Sequence, residues 1–308
     1  MGENNRQLLR HVQSLAKMIV VKLMGGLGNQ MFQYAAGFAL AHKHKVPLHL
    51  DLSFLERDPQ GAWTKRNFEL NVFGILPNAL EQNELAKFQS TSGRITRLIN
   101  RFLPLSRNYH YAVEKGQTYQ SWFNDLPQNV YLEGFWQNEK YFERVRTELI
   151  NVFSPKINKP SIISDLEGVI QAKTTISLHV RRGDYVASKE AGAFHGICSP
   201  EYYAKAIHYL EQKVGTFQLM IFSDDPQWCA NHFNHPHGQI IVSHVENPVW
   251  DMYLMSQCHH HIIANSSFSW WGAWLNKRMD AITLLPNQWF ASKQASEIGI
   301  NAKGWILI

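Results

Sequence analysis

Five short apolar runs in the second half of the chain constrain its fold more than any other feature. They cover residues 174–180, 217–223, 238–243, 260–265 and 281–286. Segments of helical pattern lie between them, and one of these opens with the helix-start pair Ser-Pro at 199–200. Fully apolar strands that alternate with helices are typical of parallel sheets covered on both faces. The sequence therefore predicts an α/β fold here.

The first half shows the same alternation less regularly. Residues 18–24 and 46–51 are predicted strands, and 29–44 between them has apolar residues at helical spacing. Residues 129–142 are predicted to be a strand that runs into a helix. With 308 residues, the chain is long enough for two domains. We predict a polar N-terminal extension over 1–17 and two doubly wound, Rossmann-like domains over 18–155 and 156–308 that face a cleft.

A glycine-rich turn follows the first predicted strand. The letters GGLGNQ cover Gly25 to Gln30, and the helical pattern begins near Asn29. Glycine permits a tight turn and lets another group approach the backbone, and the free N–H groups of a helix start favour an anion. The turn alone leaves two interpretations open, a ligand site and a plain strand-to-helix turn.

Charged and hydroxyl side chains follow the later strands, where parallel sheets bind ligands. Arg181 and Arg182 should point to opposite sides, so that one faces the cleft while the other pairs with Asp184. An arginine can bind phosphate through two hydrogen bonds. Ser266 and Ser267 open a helix, which also suits phosphate.

An acid, Asp251, lies in an otherwise apolar helical segment, where it is either a paired residue or a ligand for the N–H edge of guanine. Together, the strand ends predict a nucleoside diphosphate in a cleft. The sequence contains no G-x-x-x-x-G-K-[ST] motif and no D-x-D motif, and we expect no metal and no bound cofactor. The net charge is +5, but the chain has no long basic run, so we expect no nucleic-acid partner.

Four stretches in this order resemble a known family. They are GGLGNQMFQYA from Gly25, HVRRGDY from His179, SDD from Ser223 and IIANSSFSWWGAWL from Ile262. Together they resemble the bacterial α-1,2-fucosyltransferases of glycosyltransferase family 11 over about residues 18–305, with the first 17 residues outside the resemblance.

The resemblance implies a GT-B-like architecture with the donor in the C-terminal domain and the acceptor on the N-terminal side. It implies that fucose passes from GDP-β-L-fucose, a co-substrate, to the 2-hydroxyl of a galactose-terminated oligosaccharide, with inversion and without a metal. It also implies catalytic roles for Arg181 and Asn29. Glu190 is a candidate for the catalytic base, and His195 and Asp184 are competing candidates. The predicted donor-binding residues are Gly26, Gly28, His179, Arg182, Asp184, Asp224, Asp251, Asn265, Ser266 and Ser267.

Two other functions fit parts of the pattern. A non-catalytic protein that binds a nucleotide sugar or a glycan would need the same site without turnover. An NAD-dependent oxidoreductase would use Gly26, Gly28 and Asp51, because a glycine turn followed by a distant acid is typical of dinucleotide sites. The third glycine of that motif is missing, and this function leaves HVRRGD without a role.

The location of the protein is suggested by composition alone. Three scattered cysteines and no apolar run of membrane-spanning length favour the cytoplasm. The positive charge and the N-terminal apolar residues at helical spacing suggest peripheral contact with the inner membrane. Neither the acceptor glycan nor the oligomeric state can be predicted from the sequence.

Overall fold

The computed structural model describes residues 17–58, 65–78, 80, 82–89, 109–183, 196–242 and 247–308. Within these ranges, no helix is both long enough and apolar enough to cross a bilayer. The predicted extension 1–17 lies almost entirely outside the described residues.

The first half forms a four-stranded parallel sheet in the order β2-β1-β4-β3. Its strands are β1 (Ile19–Lys22), β2 (Leu48–Asp51), β3 (His110–Val113) and β4 (Val130–Glu133). Helix α1 (Leu27–His44) links β1 to β2 and ends at Lys45, whose left-handed backbone caps the last carbonyls. Gly37 lets α1 lie close to the sheet, because a Cβ there would come within 2.8 Å of the Leu48 side chain.

The second half forms a six-stranded parallel sheet in the order β12-β9-β8-β5-β6-β7. Its strands are β5 (Thr175–Val180), β6 (Gln218–Ser223), β7 (Gln239–Val242), β8 (His260–Ile262), β9 (Thr283–Leu285) and β12 (Ile306–Leu307). Counted along the chain this is the 3-2-1-4-5-6 order of a dinucleotide-binding sheet. A small antiparallel pair, β10 (Gln288–Phe290) and β11 (Lys293–Gln294), lies beside it.

The remaining helices surround the two sheets. They are α2 (Gln82–Gln89), α3 (Arg146–Val152), α4 (Ser161–Ala172), α5 (Pro200–Val214), α6 (Pro226–His232), α7 (Pro248–Gln257), α8 (Ser267–Trp274) and α9 (Ala295–Ile298). Short 3₁₀ turns cover Leu70–Phe73, Ser121–Asp125, Glu139–Tyr141 and Glu143–Val145. The predicted α/β fold with parallel sheets is confirmed.

An aromatic cluster joins the two halves. The Phe32 ring of α1 lies 4.5 Å from the Trp270 ring and 5.0 Å from the Trp271 ring of α8. Phe142 stacks on Trp271 at 5.4 Å. All four side chains are fully buried in one core that contains residues of both sheets. We call Phe32, Phe142, Trp270 and Trp271 the aromatic joint.

Several elements differ from the sequence prediction. Residues 129–142 hold β4 and a short 3₁₀ turn instead of a strand that runs directly into a helix, and the helix predicted to open at Ser266 and Ser267 covers Ser267–Trp274. β3 lies in a part of the first half where no strand was predicted, because no alternating pattern is visible there. All three cysteines are free thiols, as their scatter predicted.

The aromatic joint predicts that both halves unfold together. Phe32→Ala removes a fully buried ring, so we expect a loss of about 3–5 kcal/mol of unfolding free energy. Urea unfolding followed by far-UV circular dichroism and tryptophan fluorescence measures it. Leu76→Ala is the control, since Leu76 is 77% exposed. Two separate transitions in the native protein would contradict a shared core.

Candidate functional site

The crevice beyond β5 and β8 is the centre of the candidate site. In the described part of the chain, α5 is the helix that follows β5, and it packs in one hydrophobic core with Ile176 and Leu178. Helix α8 follows β8 and packs in a different core, the one that contains the aromatic joint. The connections that leave these adjacent strands therefore lie on opposite faces of the sheet. Such a point is where open parallel sheets bind ligands, outside the carboxyl ends of the strands.

The starts of two helices meet at this crevice. A Cβ on Gly28, near the start of α1, would lie 2.7 Å from the carbonyl carbon of Ser267 and 2.8 Å from the backbone nitrogen of Phe268. Trp271 Nε1 also donates to the Gly28 carbonyl at 3.0 Å. The group that comes close to this glycine is therefore the opposite half of the protein. Two positive helix ends converge here, which favours an anion.

The two arginines are held by the SDD motif. Arg181 Nη1 lies 2.9 Å from Asp224 Oδ2, and Asp224 Oδ1 accepts from the Arg182 backbone at 2.9 Å. Arg182 Nε contacts Asp225 at 3.2 Å, and its guanidinium lies 4.2 Å above the Trp228 ring. Arg182 is thus held between a ring and a carboxylate. The expected pairing with Asp184 lies outside the described residues.

His179 is a buried, neutral histidine beside Arg181. Burial and the nearby Arg181 guanidinium lower the pKa of its imidazole to about 3. Its ring lies 5.8 Å from the Phe268 ring. Within the described part of the chain, its Nδ1 has no hydrogen-bond partner, which is costly for a buried polar atom.

Asp251 lies at the carboxyl edge of the second sheet, the edge at which β5 also ends. On α7, Asp251 lies one helical turn before Met255, and on α8, Phe268 lies one turn before Gly272. The two helices pack closely at the later positions, because a Cβ added to Gly272 would lie 3.0 Å from the Met255 side chain. Because α7 and α8 each follow a strand of one parallel sheet, both start at its carboxyl edge. Asp251 and Phe268 therefore share that edge.

The Asp251 carboxyl is buried and incompletely paired. Among the described residues, its Oδ1 has no hydrogen-bond partner. Burial raises the pKa of this carboxyl to about 7. A group in this state can accept hydrogen bonds from a ligand that carries adjacent N–H groups.

The glycine turn is fixed from both sides. Gly25 has a positive φ of 76°, and the Asn29 amide packs so closely on it that a Cβ would clash at 2.5 Å. Asn29 Oδ1 accepts from Gln137 Nε2 at 2.8 Å. Glu69 accepts from the Leu27 N–H at 3.1 Å, which caps α1. Sequence reasoning missed Gln137 and Glu69, since nothing in the sequence links them to the turn.

Two of the predicted donor contacts, Gly26 and Ser266, have distinct surroundings. A Cβ added to Gly26 would make only ordinary van der Waals contacts, 3.8–3.9 Å from the Glu69 and Arg66 side chains. Ser266 caps α8 by accepting from the Phe268 N–H at 3.3 Å.

The amide of Asn265 is occupied by the protein itself. It donates to the carbonyls of Gly196 and Trp289 at 3.2 and 3.1 Å, and it accepts from the Cys198 thiol. Asn265 therefore has a structural role. Asp184 and Glu190 lie outside the described residues, so their predicted roles stay predictions.

Asp51 does not resemble the ribose-binding acid of a dinucleotide site. It is 2% exposed, and its carboxylate accepts from Tyr131 OH and from the Ser53 N–H. Both carboxylate oxygens therefore stabilise the first sheet, which removes the residue on which the oxidoreductase interpretation depends.

A family model described as Glycosyl transferase family 11 matches residues 4–308. The match begins within the predicted extension 1–17, so the expectation that this segment lies outside the family was wrong.

Curated relatives cover most of the chain. An alpha-1,2-colitosyltransferase of Escherichia coli is 36% identical over 295 residues, which is 94% of this chain and 99% of the relative. The O-antigen biosynthesis glycosyltransferase WbnK of Escherichia coli is 36% identical over 303 residues, 92% and 98% of the two chains. Galactoside alpha-(1,2)-fucosyltransferase 2 of Sus scrofa is 23% identical and covers 85% of this chain and 70% of the relative.

Solved structures of lower similarity align over most of the chain. A FUT1 mutant of Arabidopsis thaliana in complex with GDP aligns with a TM-score of 0.46 and 12% identity, over 92% of this chain and 74% of that one. The NodZ alpha-1,6-fucosyltransferase of Bradyrhizobium, soaked with GDP-fucose, aligns with a TM-score of 0.42 and 13% identity, over 87% and 94%.

The buried Asp251 carboxyl predicts a pH-dependent gain of stability on substitution. Its folded pKa of about 7 lies above the ordinary 3.8, so its ionisation opposes folding increasingly from pH 4 to 7. Asp251→Asn should stabilise the ligand-free protein at pH 8 by up to about 4 kcal/mol and have little effect at pH 4. Thermal unfolding at both pH values measures this. Asp165→Asn, at an exposed position of α4, is the control; equal shifts for both variants would contradict the prediction.

Proposed function

The chain belongs to glycosyltransferase family 11, and we propose that it transfers L-fucose from GDP-β-L-fucose to the 2-hydroxyl of a terminal β-galactoside, with inversion. The donor half of this proposal rests on two buried polar atoms without partners in the described part of the chain, Asp251 Oδ1 and His179 Nδ1, which both lie at the carboxyl edge of the second sheet. Buried polar groups are almost always satisfied. A bound nucleotide would satisfy both.

Guanine suits the Asp251 carboxylate. Its N1–H and its exocyclic amino group point in the same direction, so one carboxylate can accept from both. Uracil offers a single N–H flanked by carbonyl oxygens, which a carboxylate repels. The proposed guanine contact therefore gives the site a preference among nucleotide donors.

The pyrophosphate suits the part of the crevice beside His179 and Arg181. Arg181 offers a fixed guanidinium, and the starts of α1 and α8 add positive helix ends beside it. His179 is neutral, so it can donate or accept a hydrogen bond without changing the charge of the site. Asp224 orients the guanidinium and shares it with the donor.

Inversion needs one displacement at C1 of the sugar. The acceptor oxygen forms the new bond on one face while the bond to the GDP oxygen breaks on the other, and GDP leaves with the electron pair. Arg181 and the helix starts would stabilise the charge that develops on GDP, a contribution that is often the largest in catalysis. We therefore propose that no metal is required. Glu190 stays our candidate for the base that takes the acceptor proton.

A second donor has a specific observation in its favour. The alpha-1,2-colitosyltransferase is 36% identical to this chain, whereas the pig fucosyltransferase is 23% identical. Colitose is fucose without its 3-hydroxyl, and both would be carried on GDP. The contacts argued above lie on the nucleotide and do not discriminate between the two sugars, so GDP-colitose is the alternative donor.

We further propose that the protein acts in the cytoplasm, in peripheral contact with the inner membrane. The support is the net charge of +5 and the apolar residues of the N-terminal segment. Sedimentation of membranes from a lysate at low and high salt tests this. Recovery in the supernatant at low salt would contradict it.

Arg181→Lys is predicted to lower kcat by at least about 100-fold, because lysine cannot replace the two-pronged contact with phosphate. Arg181→Ala should be at least as severe. Arg144→Lys, at an exposed position, is the control. Near-normal turnover of Arg181→Lys in a folded protein would remove Arg181 from the mechanism.

The decisive experiment measures GDP release from GDP-fucose and from GDP-colitose, with and without lactose, in EDTA. We expect release from GDP-fucose that depends on lactose, and a product with fucose on the galactose 2-hydroxyl. Faster transfer from GDP-colitose would establish the alternative donor. Binding of GDP without transfer to any galactoside would favour a non-catalytic protein, and recovery of activity by Mn²⁺ would contradict metal independence.

A further inference from the structure

The carboxyl edge of the first sheet carries a charged cluster that the proposed donor site does not use. Lys22 ends β1 and Glu133 ends β4, and Lys22 Nζ lies 2.7 Å from Glu133 Oε1. Tyr111 OH donates to the other oxygen, Glu133 Oε2. Phe54 lies beside them, with its ring centre 6.0 Å from Lys22 Nζ. We call Lys22, Phe54, Tyr111 and Glu133 the acidic shelf.

The acidic shelf is partly exposed to solvent, whereas the tyrosine that packs beneath it is buried. The side chains of Lys22 and Glu133 are 19% and 28% exposed, and neighbouring Val113 is 45% exposed. Tyr131 lies opposite Tyr111 in the sheet, two positions before Glu133; it is 1% exposed and stacks on the Tyr111 ring at 4.8 Å. The polar atoms of the shelf are thus held on a packed pair of tyrosine rings and remain partly exposed.

Stability alone does not explain an ion pair at this place. Partly removing a lysine and a carboxylate from water costs solvation energy, and such pairs are often no more stabilising than apolar residues would be. Although burial by itself would raise the pKa of Glu133, the hydrogen bonds from Lys22 and Tyr111 outweigh it and lower that pKa. The shelf therefore presents a lasting carboxylate rather than a group that exchanges protons near neutral pH.

Two short chain segments connect the acidic shelf to the crevice. Gln137, four residues after Glu133, donates to Asn29. Gly28, six residues after Lys22, packs against Ser267. Six residues of extended chain span at most about 21 Å, so Lys22 lies within that distance of the helix start where the halves meet. A disaccharide can bridge much of this gap.

We propose that the acidic shelf binds the acceptor sugar by accepting hydrogen bonds from its hydroxyl groups with Glu133, donating one from Lys22, and packing an apolar sugar face on Phe54. This inference rests on the proposed function, because it gives the acceptor of that reaction its binding residues. A sugar ring offers both elements, hydroxyl groups on its edge and C–H groups on its face. Lys22 and Glu133 neutralise each other, so the shelf would bind a neutral, hydroxyl-rich acceptor through hydrogen bonds rather than through net charge.

The chain contains a matched control for Glu133. Glu167 also accepts from a lysine, Lys159, and from a tyrosine, Tyr253 OH at 2.5 Å, but it lies on α4, outside the crevice and the shelf. Glu133→Gln and Glu167→Gln therefore remove the same charge from the same kind of cluster. Tyr111→Phe, which removes one hydrogen bond to Glu133, serves if Glu133→Gln fails to fold.

The experiment measures initial rates with lactose at saturating GDP-fucose, together with GDP affinity by calorimetry, for the native protein and each variant. We expect Glu133→Gln to raise the KM for lactose at least tenfold while its GDP Kd changes less than twofold. Glu167→Gln should leave both within twofold. Tyr111→Phe should raise the KM in the same direction by a smaller factor.

Other results would overturn the proposal in distinguishable ways. An unchanged KM for lactose in folded Glu133→Gln would overturn the acidic shelf while the proposed function stands. If Glu133→Gln raised the GDP Kd and the KM for lactose by the same factor, Glu133 would have a structural role only. A native protein that binds no GDP and transfers to no galactoside would overturn both this proposal and the proposed function.

Discussion

The contact between the starts of two helices from opposite halves is the constraint on which the rest of the structure depends. Gly28 has no side chain, and only for that reason can α1 approach the backbone of Ser267 at the start of α8. One turn further along, Phe32 packs on Trp270 and Trp271. The same approach buries the largest side chains of the protein and brings two positive helix ends to one crevice. Stability and anion binding thus have a common origin.

This joint also limits how the molecule can move. Beyond the aromatic joint, Asn138 donates to the Gly299 carbonyl at 2.7 Å, and Arg146 donates to the Trp274 and Asn276 carbonyls at 2.7 and 2.9 Å. These bonds connect the two halves at positions remote in sequence. Because a packed interior does not deform continuously, relative movement of the halves would require disrupting this core.

The crevice itself is less favourable for folding than its surroundings. His179 and Asp251 each keep a buried polar atom without a partner in the described part of the chain. Burial lowers the pKa of the His179 imidazole and raises the pKa of the Asp251 carboxyl, so it favours the neutral form of both side chains. An apolar residue at either place would be less costly in the ligand-free protein. The cost is understandable where a ligand completes the hydrogen bonds, and it concentrates at the carboxyl edge of the second sheet.

Local patterns were enough to predict the parallel sheets, the cap at Ser199, and the position of Arg181 at a strand end, because strand periodicity and turn chemistry depend on neighbours in sequence. The same patterns did not reveal that Gly28 meets Ser267, that Gln137 holds Asn29, or that Lys22 and Glu133 form a pair across 111 positions. They also placed Asn265 among the ligand contacts, whereas its amide is used by the protein. The sequence by itself determined the elements and the chemical groups at their ends. The tertiary structure alone decided which groups meet and which are buried, since both depend on packing between segments that no local pattern connects.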